Sequence, residues 1–230
     1  MIVDFHTHIL PGIDDGAHDL DMALEMLAIL KKQGVGTVAA TPHFYPHRQP
    51  LTEFLQERQQ ALEILEGQQA EGMPKIIPAA EVYVERDIHQ LDLRPLCFGN
   101  TDLLLVELPY TYQSWSLEEV YNLSISQSIK PVFAHLDRYM KMYKKDEIQE
   151  ILKFDNAVFQ FNQKALFDRY TRRAVIKLIK QEYPVIFGSD FHNLDIRTSR
   201  WDKARSVLKS KFGVQWLKQY DGFCMDLITI

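Results

Sequence analysis

Short apolar segments alternate with stretches of helical periodicity along most of this 230-residue chain. Seven of the apolar segments are predicted as strands, over residues 1–8, 35–41, 75–81, 102–108, 131–135, 157–162 and 184–190. Between them, apolar residues recur at helical spacing, as at Leu20, Leu24 and Leu27. Regular alternation of strands and helices is typical of α/β proteins with a parallel sheet. We therefore expect an α/β fold.

The end of the first predicted strand decides between two such folds. An open doubly wound sheet usually carries a glycine-rich turn after its first strand, whereas this chain has His6-Thr7-His8 there. In βα barrels, by contrast, several strands contribute functional side chains at their carboxyl ends. Because polar, metal-binding residue types end most of the predicted strands, the sequence favours a TIM-like barrel.

The composition excludes several classes of function. The formal net charge of −5 argues against a general nucleic-acid-binding protein, which would need a basic face. No apolar run approaches the roughly 20 residues of a membrane helix, and the N-terminal residues lack the basic-then-apolar order of a signal peptide. Cys97 and Cys224 form no C-x-x-C motif, which fits a reducing compartment. We expect a cytoplasmic protein with no nucleic-acid partner and no membrane insertion.

Histidine and acidic residues lie where almost every predicted strand ends. His6 and His8 are two apart on a strand, so both side chains project from one face and can reach one divalent ion. The full set of candidate ligands is His6, His8, Asp15, His43, Glu81, Glu107, His135, Asp190 and His192. The four carboxylates could not be buried together without a counter-charge, which metal ions supply. Nine ligands suit two or three ions, and imidazole with carboxylate favours Mn²⁺, Fe or Zn²⁺.

Two arginines lie just beyond ligand-bearing strand ends. A guanidinium fork matches the geometry of phosphate, so Arg138 and Arg197 are candidate catalytic residues that bind a phosphoryl group. A role as solvated surface arginines stays open for both. The aromatic and polar loop 44–48 is a candidate wall for an aromatic phosphoester, or equally a surface connection.

The motifs around these residues resemble those of a known superfamily. They are H-T-H, D-D-G, T-P-H, A-E-V-Y, V-E-L, A-H-L-D-R-Y and S-D-F-H-N. They resemble the polymerase and histidinol phosphatase (PHP) superfamily, and within it the bacterial manganese-dependent protein-tyrosine phosphatases of capsule and exopolysaccharide operons. The resemblance implies one PHP-type metallophosphatase domain over residues 1–230, folded as a distorted (β/α)7 TIM-like barrel with a trinuclear site.

The resemblance also divides the candidate ligands among three ions. It assigns one ion to His6, His8, Glu81 and Asp190, a second to Glu81 as a bridge with Glu107 and His135, and a third to Asp15, His43 and His192. Two or three divalent ions are expected, with Mn²⁺ as the first choice and Fe or Zn²⁺ as alternatives.

The function implied is hydrolysis of phosphotyrosine on the tail of a bacterial tyrosine kinase, which would regulate capsular or exopolysaccharide synthesis. A metal-bridging hydroxide would attack phosphorus without a covalent intermediate. A cysteine mechanism is excluded because it needs C-x5-R, and Leu103 stands where that arginine would follow Cys97. Two alternatives stay open: a small-molecule phosphatase such as histidinol phosphatase, and a non-catalytic metal-binding scaffold. Assembly as a homo-oligomer also stays open.

Overall fold

The computed structural model describes residues 1–229, which form nine strands and seven α-helices. The strands are β1 (Ile2–Thr7), β2 (Val35–Ala40), β3 (His43–Phe44), β4 (Lys75–Pro78), β5 (Glu81–Tyr83), β6 (Leu103–Glu107), β7 (Lys130–Phe133), β8 (Val158–Asn162) and β9 (Val185–Gly188). The helices are α1 (Leu20–Lys32), α2 (Leu51–Gln68), α3 (Ser114–Gln127), α4 (Leu136–Met142), α5 (Lys145–Leu152), α6 (Arg169–Lys180) and α7 (Trp201–Asp226).

All strand pairs are parallel, which confirms the predicted α/β class. The pairings group the strands in two sheets, one in the order β1-β2-β4 and one in the order β3-β5-β6-β7-β8-β9. Helices follow most strands, so the carboxyl ends of the strands meet on one side of the molecule. That side carries the predicted ligands.

Two proline residues explain why nine strands are found where seven were predicted. Pro42 separates β2 from β3, and Pro78 ends β4 shortly before β5 begins. Proline has no backbone N–H to donate to a ladder, so the predicted strand 75–81 is divided between β4 and the start of β5, while β3 lies beyond the end of the predicted strand 35–41. Backbone hydrogen bonds still cross the breaks, from Ala79 N to Ala40 O at 2.9 Å and from Glu81 N to Pro42 O at 3.0 Å.

Strand β1 also contacts the segment that follows β9. Asp190 N donates to His6 O at 2.8 Å, and His8 N donates to Phe191 O at 2.9 Å. The buried Asp4 carboxylate accepts hydrogen bonds from Ser189 N and Trp201 Nε1, each at 2.7 Å. Burial raises the pKa of Asp4 to about 6. These contacts fix the two histidines of β1 against the residues that follow β9.

Apolar side chains cover both faces of the strands. In β6, Leu104 and Val106 face the larger cluster, which joins strands to helices, while Leu103 and Leu105 face a smaller cluster formed mainly by strands. Cys97 and Cys224 are both buried and form no disulfide bond. Among the described residues, no helix is both long and apolar enough to cross a membrane.

Two helices have unusual features. Helix α4 has only seven residues and starts directly after His135. Helix α7 continues to Asp226, with a kink at Gly213, whose φ is 88°. Glycine adopts this positive φ without steric strain.

Candidate metal centre

The nine predicted ligands come together at the carboxyl ends of the strands. Three overlapping groups of ligand atoms lie within 4.8 Å of one another: His8, Asp15, His43 and His192; His6, His8 and Glu81; and His43, Glu81 and Glu107. His135 and Asp190 complete the cluster through their contacts with Glu81 and His6, as described below. The nine side chains, which are spread along the chain from position 6 to position 192, thus form one continuous group of imidazoles and carboxylates.

Glu81 lies at the centre of this group and is almost fully buried. Its Oε2 atom is 3.0 Å from His6 Nε2, 3.4 Å from His8 Nε2 and 3.1 Å from His43 Nδ1. Its Oε1 atom is 2.8 Å from His135 Nε2. Burial alone would raise the pKa of Glu81, but the surrounding histidines outweigh it and hold the pKa well below its usual value.

The side of the centre toward solvent is formed around Asp15. Its Oδ1 atom is 3.3 Å from His192 Nε2 and 3.5 Å from His43 Nε2. Asp15 is 62% exposed, so this group opens toward solvent. The neighbouring His192 lowers the pKa of Asp15 to about 2, while burial lowers the pKa of His192 to about 4. Burial thus favours the neutral imidazole of His192, which is the form that binds metal ions.

Asp190 connects the histidines with both predicted arginines. Its Oδ1 atom is 3.8 Å from His6 Nε2 and accepts a hydrogen bond from Arg197 Nη2 at 2.8 Å. Arg138 Nη2 donates to the other carboxylate oxygen. Burial opposes ionisation of Asp190, but His6 and the two guanidinium groups hold its pKa below its usual value. The structure thus places Arg138 and Arg197 at the edge of the cluster.

His135 and Asp190 have left-handed backbone conformations, with φ of 31° and 54°. In non-glycine residues such conformations cost about 1–3 kcal/mol and concentrate at functional sites. The side chain of His135 is directed toward Glu81, and that of Asp190 toward His6.

The pKa of His135 reflects its carboxylate neighbours. Burial and Arg138 oppose protonation of His135, but its contacts with Glu107 and Glu81 outweigh them and raise its pKa to about 9.

One important side chain, Asp14, was missed by the sequence reasoning. Its Oδ2 atom lies 2.6 Å from His8 Nδ1 and accepts from His43 N at 2.9 Å. Burial opposes protonation of His8, but Asp14 outweighs it and raises the pKa of His8 to about 10. A carboxylate that holds the remote nitrogen of a ligand histidine orients the ring. The D-D-G motif pointed to this turn but did not show which aspartate faces inward.

The turn also depends on Gly16. A Cβ atom there would lie 2.1 Å from His8 O, which is backbone and cannot move away. Glycine at this position lets the turn approach β1 closely enough for Asp14 to reach His8.

Strand β8 contributes two further polar side chains that were not predicted as site residues. Gln160 and Asn162 are buried and hydrogen-bonded to His6, His135 and Asp190. Polar residues at alternate positions of a strand that is otherwise apolar are the signal that could have identified them.

The donor atoms fit divalent metal ions. Three buried imidazole nitrogens have no hydrogen-bond partner among the described residues: His43 Nδ1, His135 Nδ1 and His192 Nε2. Buried nitrogens without a partner are rare in folded proteins. Two of them face carboxylates, His43 Nδ1 toward Glu81 at 3.1 Å and His192 Nε2 toward Asp15 at 3.3 Å. Imidazole and carboxylate donors without sulfur are suited to Mn²⁺, Fe or Zn²⁺.

The predicted aromatic loop lies beside this centre. The ring of Tyr45 is 5.2 Å from the ring of His43 and 5.6 Å from that of Tyr83, and the Arg48 guanidinium lies 4.3 Å above Tyr45. A cavity next to the loop is lined by Tyr45, Arg48 and both aspartates of the D-D-G turn.

The two cysteines take no part in the centre. Burial raises the pKa of the Cys97 and Cys224 thiols to about 12, and neither thiol belongs to the groups of ligand atoms.

Comparison with known proteins gives a consistent result. The chain is 28% identical over 223 residues to the tyrosine-protein phosphatase YwqE of Bacillus subtilis strain 168, covering 92% of this chain and 85% of that protein. It is 24% identical over 228 residues to the tyrosine-protein phosphatase CpsB of Streptococcus agalactiae serotype III strain NEM316, covering 95% and 94%.

A solved structure has the same fold. It comes from crystal structures of YwqE from Bacillus subtilis and CpsB from Streptococcus pneumoniae, described as metal-dependent tyrosine phosphatases. The TM-score is 0.80 at 23% identity, covering 100% of this chain and 96% of that chain. The capsular polysaccharide synthesis family CpsB/CapC matches residues 2–221. Because that match spans nearly the whole sequence, the chain belongs to the CpsB/CapC family.

Proposed function

We propose that this protein is a metal-dependent phosphatase that hydrolyses phosphotyrosine on proteins. The observation that carries the proposal is the convergence of nine imidazole and carboxylate side chains on one centre, with two guanidinium groups at its edge. Its relatives are named tyrosine-protein phosphatases, and its family is that of capsular polysaccharide synthesis. The substrate would be the phosphorylated tail of a bacterial tyrosine kinase, and the protein would act in the cytoplasm.

The proposed ligand sets are those implied by the sequence resemblance, and each shares at least two residues with one of the three overlapping groups. One ion would be held by His6, His8, Glu81 and Asp190, a second by Glu81, Glu107 and His135, and a third by Asp15, His43 and His192. Mn²⁺ is the proposed metal. When bound, such ions lower the pKa of water toward about 7 and neutralise charge on phosphoryl oxygens.

The protein's own side chains would position the phosphoryl group. Arg138 and Arg197 approach Asp190 from α4 and from the loop after β9, so their guanidinium groups lie on either side of one carboxylate. Each retains N–H groups that can bind phosphoryl oxygens as charge develops on them. The ring of Tyr45, next to His43, would form the wall against which an aromatic leaving group packs.

The barrel predicted from the sequence belongs to the same proposal. Strands β3 and β5 continue β2 and β4 beyond their prolines, and Thr7 forms a parallel bridge with Phe191 beyond β9. Taken in this way, the two sheets would make one distorted (β/α)7 barrel over a single domain of residues 1–230, with β1 between β2 and β9. Its carboxyl rim would hold the metal centre.

A side-by-side assay tests the proposed substrate class. Protein freed of metal and reconstituted with Mn²⁺ would be given a phosphotyrosine peptide and histidinol phosphate at equal concentrations. We expect a higher kcat/KM for the peptide, because the centre opens to solvent around the exposed Asp15. Preference for histidinol phosphate would support the small-molecule phosphatase instead. Tight Mn²⁺ binding without hydrolysis of either ester would support the metal-binding scaffold.

A further inference from the structure

Strand β8 provides none of the nine candidate ligands, yet its polar side chains contact three of them, His6, His135 and Asp190. Gln160 is fully buried and Asn162 nearly so. Gln160 Oε1 is 3.2 Å from His6 Nδ1, and Asn162 Nδ2 donates to Asp190 Oδ2 at 2.9 Å. Burying an amide in an otherwise apolar strand costs free energy unless its polar atoms are hydrogen-bonded. The presence of two such amides beside the candidate ligands therefore suggests a role for them.

The contacts of the two amides determine which atom donates and which accepts in each hydrogen bond. His135 N donates to Gln160 Oε1 at 2.5 Å, and because a backbone N–H can only donate, this atom of Gln160 is the oxygen. The other amide atom is therefore Nε2, which donates to Asn162 Oδ1 at 3.2 Å. That leaves Asn162 Nδ2 as the donor to Asp190.

The same reasoning fixes the proton on His6. Its Nδ1 atom faces Gln160 Oε1, which can only accept, so Nδ1 must carry hydrogen. In the neutral imidazole the lone pair then lies on Nε2, which is 3.0 Å from Glu81 Oε2 and 3.1 Å from His8 Nε2. This is the tautomer in which His6 can bind a metal ion at the centre.

We propose that Gln160 and Asn162 form an amide relay that positions His6, His135 and Asp190 for metal binding. The inference rests on the proposed metal centre but not on its substrate. The relay starts at the backbone of one candidate ligand, fixes the tautomer of a second and ends at the carboxylate of a third. Gln160 and Asn162 are positioning residues, since neither is itself a candidate ligand.

A separate side chain, Asp14, orients two other candidate ligands. Its carboxylate is hydrogen-bonded to His8 Nδ1 and His43 N, and among the described residues it makes no hydrogen bond to Gln160 or Asn162. Loss of the relay should therefore weaken the ions held through His6, His135 and Asp190. It should spare the ion at Asp15, His43 and His192.

The test is calorimetric titration of metal-free protein with Mn²⁺. Removing a residue that orients metal ligands typically weakens binding about 10- to 100-fold. We expect Gln160→Leu to show this loss for part of the bound Mn²⁺ while a remaining fraction binds as in the wild type. Asn162→Ala removes the hydrogen bonds to Asp190 and from Gln160 Nε2 but leaves those of Gln160 with His6 and His135, so it should show a smaller loss. It also serves if Gln160→Leu fails to fold.

The matched control is Gln163→Leu. Gln163 is as buried as Gln160 and close to it in sequence, but its side chain donates only to Ser199 Oγ at 3.4 Å. A merely structural role would lower the melting temperature of both glutamine variants and leave the Mn²⁺ affinity of both unchanged. Equal affinity losses in both would likewise overturn the relay.

The outcomes also separate the relay from the proposed function. A wild-type protein that binds no Mn²⁺ would overturn both. A wild-type protein that binds Mn²⁺ but hydrolyses no phosphotyrosine would overturn only the function, and the titration of the variants would still decide on the relay.

Discussion

The guanidinium groups of Arg138 and Arg197 share one carboxylate, that of Asp190. Arg138 retains 35% of its side-chain exposure and Arg197 30%, so both can reach a molecule that enters from solvent. Burial opposes the charged form of Arg138, but Asp190 outweighs it and raises the pKa of the guanidinium. Arg138 is therefore charged at neutral pH.

Arg138→Ala should reduce kcat/KM for a phosphotyrosine peptide. Loss of one preorganised group that stabilises charge in the transition state typically costs about 3 kcal/mol, or roughly 10²-fold in rate. Arg138→Lys should recover only part of this, because an ammonium group lacks the two-pronged geometry. Arg94→Ala, at an exposed arginine paired with Asp92, is the control.

Metal analysis must accompany these kinetics, because Arg138 also contacts Asp190. Wild-type kinetics for both Arg138 variants at full metal occupancy would remove this arginine from the site. A fall in activity that merely follows a loss of bound Mn²⁺ would assign Arg138 to holding Asp190.

Replacing both cysteines by serine should leave kcat within a few-fold of the wild-type value. Burial raises the pKa of each thiol to about 12, so neither is a thiolate at pH 7. The measurement is steady-state turnover of the Cys97→Ser, Cys224→Ser protein, with its fold checked by circular dichroism. Complete loss of activity in a folded protein would revive a cysteine mechanism.

The residue types at the strand ends were enough to predict that nine candidate ligands meet, because the carboxyl ends of parallel strands lie on one rim. The orienting residues were beyond such reasoning. Asp14 and Asp15 are adjacent and identical in type, and only the turn geometry around Gly16 turns the first inward. The alternation of Gln160 and Asn162 with apolar residues in β8 marks them as buried polar residues, but only the fold shows that their partners are His6, His135 and Asp190.

At the scale of elements, β9 approaches β1 closely beside the first histidine. A Cβ atom on Gly188 would lie 2.4 Å from His6 Cβ and 2.9 Å from both His6 N and Gln160 Nε2. Strand β9 can therefore support the first histidine only because this position has no side chain.

Gly188→Ala should destabilise the fold and weaken metal binding. Overpacking of this kind typically costs about 1–3 kcal/mol, and the backbone atom of His6 cannot move aside without shifting β1. The measurement is urea-induced unfolding of the metal-free protein together with Mn²⁺ titration. Gly222→Ala in α7, where a Cβ would meet nothing within 4 Å, is the control and should be neutral or slightly stabilising. Equal stability of the two variants would contradict the close packing.

Element boundaries were predictable where periodicity was long and unpredictable where it was broken. The period of α1 and α6 and the apolar run of β6 are strong local signals. Pro42 and Pro78 mark local breaks, but whether strand pairing resumes beyond each of them depends on the neighbouring strands, which no local pattern records. For the same reason the grouping into two sheets could not be foreseen.

For the whole molecule, chelation is the most general test. Treatment with EDTA should abolish phosphatase activity, and Mn²⁺ should restore it. The melting temperature should fall as well, because a ligand that binds only the folded state stabilises it by about 2.7 kcal/mol at 100 times its Kd. Differential scanning calorimetry with and without Mn²⁺ measures this, and Mg²⁺ at equal concentration is the control for ionic strength. Turnover that persists in protein shown to be metal-free would sink the mechanism.

The contact of Asp4 with Ser189 and Trp201 has a consequence for how the molecule is made. These partners are separated from Asp4 by 185 and 197 positions along the chain. A growing polypeptide carries His6 and His8 from the start, but it cannot close the first strand against the ninth until almost all of it has been synthesised. Contacts of such long sequence separation slow folding. The pocket for the metal should therefore be the last part of the protein to form at the ribosome, and Mn²⁺ should enter a chain that is otherwise complete.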